Sequence, residues 1–209
     1  MATFRLDNLR QYSDVLRARD GEVVMLRFVE PRDAEELQNY FRTLSTGSRY
    51  NRFLAAMSEL PKPVLERFTH VGEGDTFSIV ATMIVDGFET IVGEARYAFH
   101  PENDTIEFGL SISDRWQGHG IGRALMKNLE CRAAAFGAVR LFGDTLRSNE
   151  AMIALARKSD FVFGSSPGDW KLVRFEKRIN TGLADLPCAS WRLAAASRQI
   201  EVAAPAVAS

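Results

Sequence analysis

The chain has 209 residues, 46% of them hydrophobic, with 26 basic and 27 acidic side chains and a formal net charge of -1. That suits one soluble domain with a core large enough to stand without cross-links, and the even charge supplies no global field to draw the chain to nucleic acid or an anionic membrane. Two cysteines, Cys131 and Cys188, give neither a disulfide framework nor a metal-ligand spacing, no run reaches the ~18 apolar residues of a membrane span, and the charged N-terminus has no apolar signal region, so a cytoplasmic protein is expected.

Residues 1–21 are polar and lack a firm pattern, so they read as an N-terminal arm ordered only by contact. The domain proper is expected over 22–180, opening with the β-rich run EVVMLRFVE, closed by Pro31. Asp33 is placed to cap a helix over AEELQNYFRTL, with acids in its first turn. TGSRYNRFLAAM reads as a loop with a short helix, and PKPVLERFTH as a second helix with proline near its start. TFSIVATMIV and FETIVGEARYAF are β runs joined at Asp86-Gly87, a strong hairpin signal, and TIEFGLSIS follows the turn PEND. An antiparallel meander is the economical arrangement.

After RWQGHGIG comes a helix over about 122–136 with Gly137 as its stop. AVRLFGDTL reads as a strand, SNEAMIALARKSD as a helix opened by Ser148 or Asn149, and FVF and WKLVRFEKRI as closing strands around the turn SSPGD. Residues 181–209 form an Ala-rich C-terminal tail. The whole is of the α+β class.

A strand, a short glycine loop and a helix together present unpaired backbone N–H groups at the positive end of a helix dipole, which suits a phosphate or pyrophosphate. Gly118, Gly120 and Gly122 let the chain approach an anion without Cβ clashes; a turn of purely structural use is the alternative. A P-loop needs Lys and then Ser or Thr after its last glycine, where Arg123 and Ala124 stand here. A dinucleotide loop needs glycine at the sixth position from Gly118, which is Arg123. The remaining pattern is Q/R-x-x-G-x-G/A, matched by Gln117, Gly118, His119, Gly120, Ile121 and Gly122.

This six-residue pattern resembles the acetyl-CoA pyrophosphate loop of the GNAT superfamily of N-acetyltransferases, and the element order over about residues 22–178 is the family's. EFGLSISDRWQGHGIGRALM, with Asn149 and Met152 further on, resembles the matching stretch of bacterial Pat-type protein lysine acetyltransferases, as does FRTLSTGSRYNRF their substrate-side helices. The resemblance implies a GNAT fold: a mixed, mostly antiparallel sheet of six to seven strands with helices on both faces. It implies acetyl-CoA as co-substrate, no metal, and transfer to a primary amine, with a protein lysine as preferred acceptor and a small-molecule amine as the other. The oligomeric state stays open, a homodimer included.

Amine acylation needs a base, because at a lysine pKa of ~10.4 only about one molecule in a few thousand is free amine at pH 7. In TIEFGLSIS the period of two puts Glu107, Gly109, Ser111 and Ser113 on one face. Periodicity alone also fits a solvated glutamate or an ion pair with Arg96; the Pat-type resemblance implies that Glu107 is the general base. It further implies that backbone groups of Ile112 and Ser113 pair with the pantetheine arm, that the loop from Gln117 to Arg123 takes the pyrophosphate, and that Asn149 and Met152 touch the cofactor. An ordinary helix cap is the other reading of Asn149.

The sequence departs from many GNAT enzymes at Ala156, where a tyrosine often protonates the leaving thiolate, and at Asp160, where glycine is usual. A silent acyl-CoA-binding module therefore stays in view. His119 is expected to face solvent, Trp116 to wedge the strand–loop corner, Cys131 to sit in the core, and His70 and His100 to end a helix and a strand. Arg42, Arg49 and Arg52 fit either a solvated basic face or an acceptor channel for an acidic partner.

Overall fold

The computed structural model describes residues 12–19, 21–71, 76–180 and 188, and among these it forms eight strands and five α-helices. The strands are β1 (Asp14–Arg17), β2 (Val23–Phe28), β3 (Thr76–Val85), β4 (Phe88–His100), β5 (Thr105–Ile112), β6 (Arg140–Leu146), β7 (Val162–Ser165) and β8 (Leu172–Arg178). The helices are α1 (Ala34–Thr43), α2 (Thr46–Phe53), α3 (Lys62–Thr69), α4 (Ile121–Ala135) and α5 (Glu150–Lys158). They form one mixed sheet in the order β1-β2-β3-β4-β5-β6-β8-β7, antiparallel except where β5 meets β6. No helix among the described residues is long and apolar enough to cross a membrane.

The meander follows from local chemistry. Asp86 and Gly87 both take positive φ, 51° and 85°, and close the β3–β4 hairpin, while Asp104, at φ 50°, turns the chain into β5. Alternation along β3 then feeds two cores. Phe77, Ile79, Ala81 and Met83 pack with Leu125 and Leu129 of α4 and with Phe136 just beyond it on one face. Val80 joins Leu37, Phe41 and Phe68 beneath α1 and α3 on the other. α4 ends as expected at Gly137, whose φ of 76° lets Ala138 donate back to the Ala133 carbonyl.

Three expectations change. Part of the N-terminal arm is strand β1, paired with β2 from Asp14↔Leu26 to Arg17↔Val23, which brings the sheet to eight strands. Asp33 does not cap α1 with its side chain; it is buried, accepting from Arg27 Nη1 and Nη2 at 2.6 and 2.9 Å and from the Glu30 N–H at 2.7 Å. Burial alone would raise this carboxyl, but the bonds from Arg27 and Glu30 and the Arg27 charge hold it below the usual carboxylate range. Cys131 of α4 does lie in the core, yet it is cross-linked: it forms a disulfide with Cys188 across Cα atoms 6.2 Å apart. The rest of the tail lies outside the described residues.

Candidate active site

β5 and β6 pair only from Thr105–Glu107 to Arg140–Phe142, and beyond that the two strands part. At Gly143 they are still close, since a Cβ there would stand 2.7 Å from the Phe108 carbonyl oxygen and 2.7 Å from the Phe175 ring. The opening that follows is a cleft of about 480 Å³, running from Arg52 and Arg96 past Glu107 and Leu110 to Asn149 and Met152. A larger depression of about 720 Å³ lies over Met25, Thr82 and Ile84 and touches neither Glu107 nor the glycine loop.

Backbone groups line this opening. The Ser113 N–H donates to Val92 O at 2.9 Å, so it is spent on β4. The alternation of an antiparallel pair then turns the N–H groups of Ile112 and Leu110 away from β4, toward the side that β6 has left. Ile112 therefore keeps a free-facing N–H, Ser113 does not, and Leu110, which the sequence reading passed over, joins it. The Ile112 carbonyl accepts from Gln117 Nε2 at 3.1 Å, so Gln117 pins the loop to the strand end.

The three loop glycines serve two purposes. Gly118 and Gly120 hold φ of 83° and 91°, a left-handed backbone that L side chains adopt only at a cost. Gly122 has an ordinary φ, but a Cβ there would meet Leu155 of α5 at 3.2 Å, so its smallness lets α4 and α5 close. The first donor of α4 to find an acceptor in its own helix is Ala124, which reaches Gly120 O at 3.1 Å. The N–H groups of Ile121, Gly122 and Arg123 stand at the open N-terminal end, the usual orphans that bind an anion there. The Arg123 side chain is exposed. His119 is half-buried rather than solvent-facing, its ring edge-on to Trp116 at 5.7 Å and its carbonyl accepting from the Arg19 N–H at 2.8 Å. Trp116 packs on the larger core at the corner.

Glu107 is the last residue of β5 in register with β6, at the mouth of the opening. Its side chain is 52% exposed, and its near neighbour is His100 Nε2 at 3.6 Å, not Arg96. His100 ends β4 and stacks on Phe142 at 6.3 Å. Arg174, held to Asp144 by bonds of 2.6 and 3.1 Å, adds positive charge nearby.

A further carboxylate on this face, Glu94 of β4, is buried and fully engaged. It accepts from Arg52 at 2.6 and 3.1 Å and from Ser111 Oγ at 2.6 Å, and Ser111 in turn meets the Tyr40 hydroxyl at 2.9 Å. Burial and the Glu94 charge push the Tyr40 phenol well above its ordinary range. Arg52 sits where Gly109 leaves space, since a Cβ at Gly109 would lie 2.9 Å from its Nη1. The other two arginines weighed for a solvated face or an acceptor channel are also committed: Arg42 pairs with Glu59 at 2.8 Å, and Arg49 donates to Leu44 O at 2.7 Å.

Asn149 caps α5, its Oδ1 accepting from the Met152 N–H at 3.2 Å while its Nδ2 donates to Thr145 Oγ1 at 2.9 Å. The helix-cap reading is thus realised on the wall of the cleft. Ala156 is fully buried, and Asp160 takes φ 62°, which accounts for the glycine usual at that place.

A family model described as the acetyltransferase (GNAT) family matches residues 39–161. The chain is 29% identical to an acetyltransferase of Pseudomonas aeruginosa over 150 residues, 72% of this chain and 81% of that protein. It is 30% identical to the acetyltransferase Pat of Mycolicibacterium smegmatis over 138 residues, 66% of this chain but only 40% of that longer protein. Among solved structures, the GNAT domain of S. lividans PAT superposes with a TM-score of 0.73 at 23% identity, over 84% of this chain and 99% of that one. A cAMP-binding acyltransferase from Mycobacterium smegmatis gives 0.58 at 23% identity, over 92% of this chain and 56% of the other.

Proposed function

Because this chain belongs to the GNAT acetyltransferase family, we propose that it moves an acetyl group from acetyl-CoA directly to a primary amine, with a protein lysine as preferred acceptor. The observation that carries the reading is the continuous cleft that joins Glu107, through the parting of β5 and β6, to Asn149 and Met152. An amine entering beside α2 and an acyl-pantetheine arm entering beside α5 meet there without crossing the sheet's core.

Residues and chemistry then divide as follows. The open N-terminus of α4 and the left-handed Gly118 and Gly120 fit a pyrophosphate. The N–H groups of Leu110 and Ile112 suit the amide-bearing arm and a polarised thioester carbonyl, where a fixed donor stabilises the developing oxyanion. Glu107 takes the proton of the acceptor ammonium, directly or through water, as the nitrogen attacks the carbonyl carbon. The carbon–sulfur bond breaks, the nitrogen gives its second proton to water, and the thiolate leaves. Alanine at position 156 puts no phenol at the usual place, so water is the proton source for the sulfur.

The lysine preference is supported by the 30% identity to Pat; a small amine in the same cleft is the second reading. Incubation with acetyl-CoA and a panel of proteins and small amines, with CoA release followed and each product identified by mass, separates them. Acetylated lysine side chains support the first reading. Turnover confined to small amines replaces it with the second, and acetyl-CoA binding without CoA release over the whole panel makes the chain a silent acyl-CoA-binding module.

A further inference from the structure

Resting on that acetyltransfer reading, we propose that Arg96 grips a carboxylate on the acceptor beside its reactive amine, as an acidic residue flanking the acceptor lysine would present. Arg96 and Glu107 both line the cleft. In the β4–β5 register Arg96 stands opposite Gly109 and Ala98 opposite Glu107, so the two side chains project from the same face as diagonal neighbours. That places their Cβ atoms roughly 7 Å apart.

What singles out Arg96 is its accounting of charge. Among the described residues its guanidinium has neither a carboxylate within ion-pair distance nor a hydrogen bond, whereas Arg42, Arg52 and Arg174 each hold a carboxylate and Arg49 donates to the Leu44 carbonyl. The nearest candidate, Glu94, is saturated by Arg52 and Ser111. Arg96 is half-buried, its guanidinium held over the Phe68 ring at 5.1 Å. Burial and the like charges of Arg67 and Arg52 disfavour its ionised form, and the Glu94 charge offsets them only in part.

A half-buried cation crowded by two others lowers the stability of the fold unless an anion comes to it. One unpaired guanidinium calls for one negative charge, and its planar fork matches a carboxylate. The cleft thus offers a carboxylate for an ammonium at one point and a guanidinium for a carboxylate at the other. An acceptor carrying both groups satisfies both.

The test uses pairs of lysine peptides identical but for Glu or Gln beside the lysine, and a parallel pair of lysine and lysine amide, all with acetyl-CoA. The expected result is a kcat/KM roughly tenfold higher for the acidic member, carried in KM, as a charge-assisted contact allows. Arg96→Gln should bring the ratio near one, and Arg96→Glu should reverse it toward peptides flanked by arginine. A preference seen with the peptides alone assigns the carboxylate to a protein side chain; one seen with lysine alone assigns it to a small acceptor.

Equal rates for the acidic and amide members with the unaltered protein would overturn the proposal, as would an Arg96→Gln variant that slows both members equally. Thermal unfolding guards against simple misfolding, because losing an uncompensated cation should leave the Tm of Arg96→Gln unchanged or raised. If no acceptor releases CoA, the acetyltransfer reading fails by itself. Calorimetric binding of lysine against lysine amide to CoA-saturated protein then decides the Arg96 site without turnover.

Discussion

The carboxylate of Asp114 accepts both the backbone N–H and the hydroxyl of Ser45, at 2.8 and 2.9 Å, and the Ser48 hydroxyl joins it at 2.8 Å. Ser45 is the N-cap of α2, and Asp114 opens the turn into the glycine loop. One side chain thus fastens α2, proposed to face the acceptor, to the glycine loop proposed to hold the cofactor. Asp114→Ala should cost about 1 kcal/mol, a fall of a few degrees in Tm, with a larger rise in the KM for acceptor than for acetyl-CoA. Thermal unfolding and initial-rate kinetics check both; a rise confined to the acetyl-CoA KM would contradict this linkage.

The buried pair Arg52–Glu94 makes a sharper stability prediction. Their side chains are 13% and 3% exposed, so removing one charge strands the other. Arg52→Met should destabilise by about 3–5 kcal/mol. Adding Glu94→Leu should recover much of that loss, because two apolar groups need no partner. Urea unfolding of the two single variants and the double variant measures the coupling.

Gly118 and Gly120 should respond to alanine by strain alone, since open space or ordinary contact surrounds each missing Cβ. Holding alanine at positive φ costs about 1–2 kcal/mol, equivalent to roughly tenfold weaker CoA binding if the loop relaxes away from its shape. Gly122→Ala is expected to act differently, by displacing Leu155 of α5. Calorimetric titration with CoA and thermal unfolding distinguish a binding loss from a packing loss.

The acid limb of stability follows from Asp33 and Asp114. For Asp114 partial burial would raise the carboxyl, but hydrogen bonds from Ser45 and Ser48 outweigh it and hold it below the usual range, as Arg27 does for Asp33. A folded-state value below the unfolded value of about 3.9 means that the stabilisation is complete above that value. It is lost as pH falls from there through the lowered folded-state values. Unfolding free energy should therefore be flat from neutral pH to about pH 5 and fall steeply below about pH 4. Asp33→Asn should start lower and fall less steeply over the same interval.

Features set by a few adjacent residues were legible in the sequence. The meander declared itself through alternation and the Asp86-Gly87 turn, the loop through glycine spacing, and the α5 cap through Asn149. Strand β1 was not legible, because four residues carry too little alternation to stand out from a polar arm; its pairing with β2 decides it. Asp33 has the chemistry of a cap, and only the fold brings the Arg27 guanidinium to it. The same limit governs the arginines: which of Arg42, Arg49, Arg52 and Arg96 find a carboxylate depends on how α2 lies over β4 and β5. Cys131 and Cys188 are 57 residues apart in sequence, and nothing local announces their meeting.

Glu107 carries the central claim, and its exposure at the mouth of the cleft makes the test clean, since Glu107→Gln removes the proton acceptor with little change in shape. At neutral pH, with saturating acetyl-CoA and an amine acceptor that the unaltered protein acetylates, kcat for CoA release by Glu107→Gln should fall by at least about a hundredfold, the usual weight of a general base, while CoA affinity stays the same. Turnover by Glu107→Gln equal to that of the unaltered protein would contradict the account.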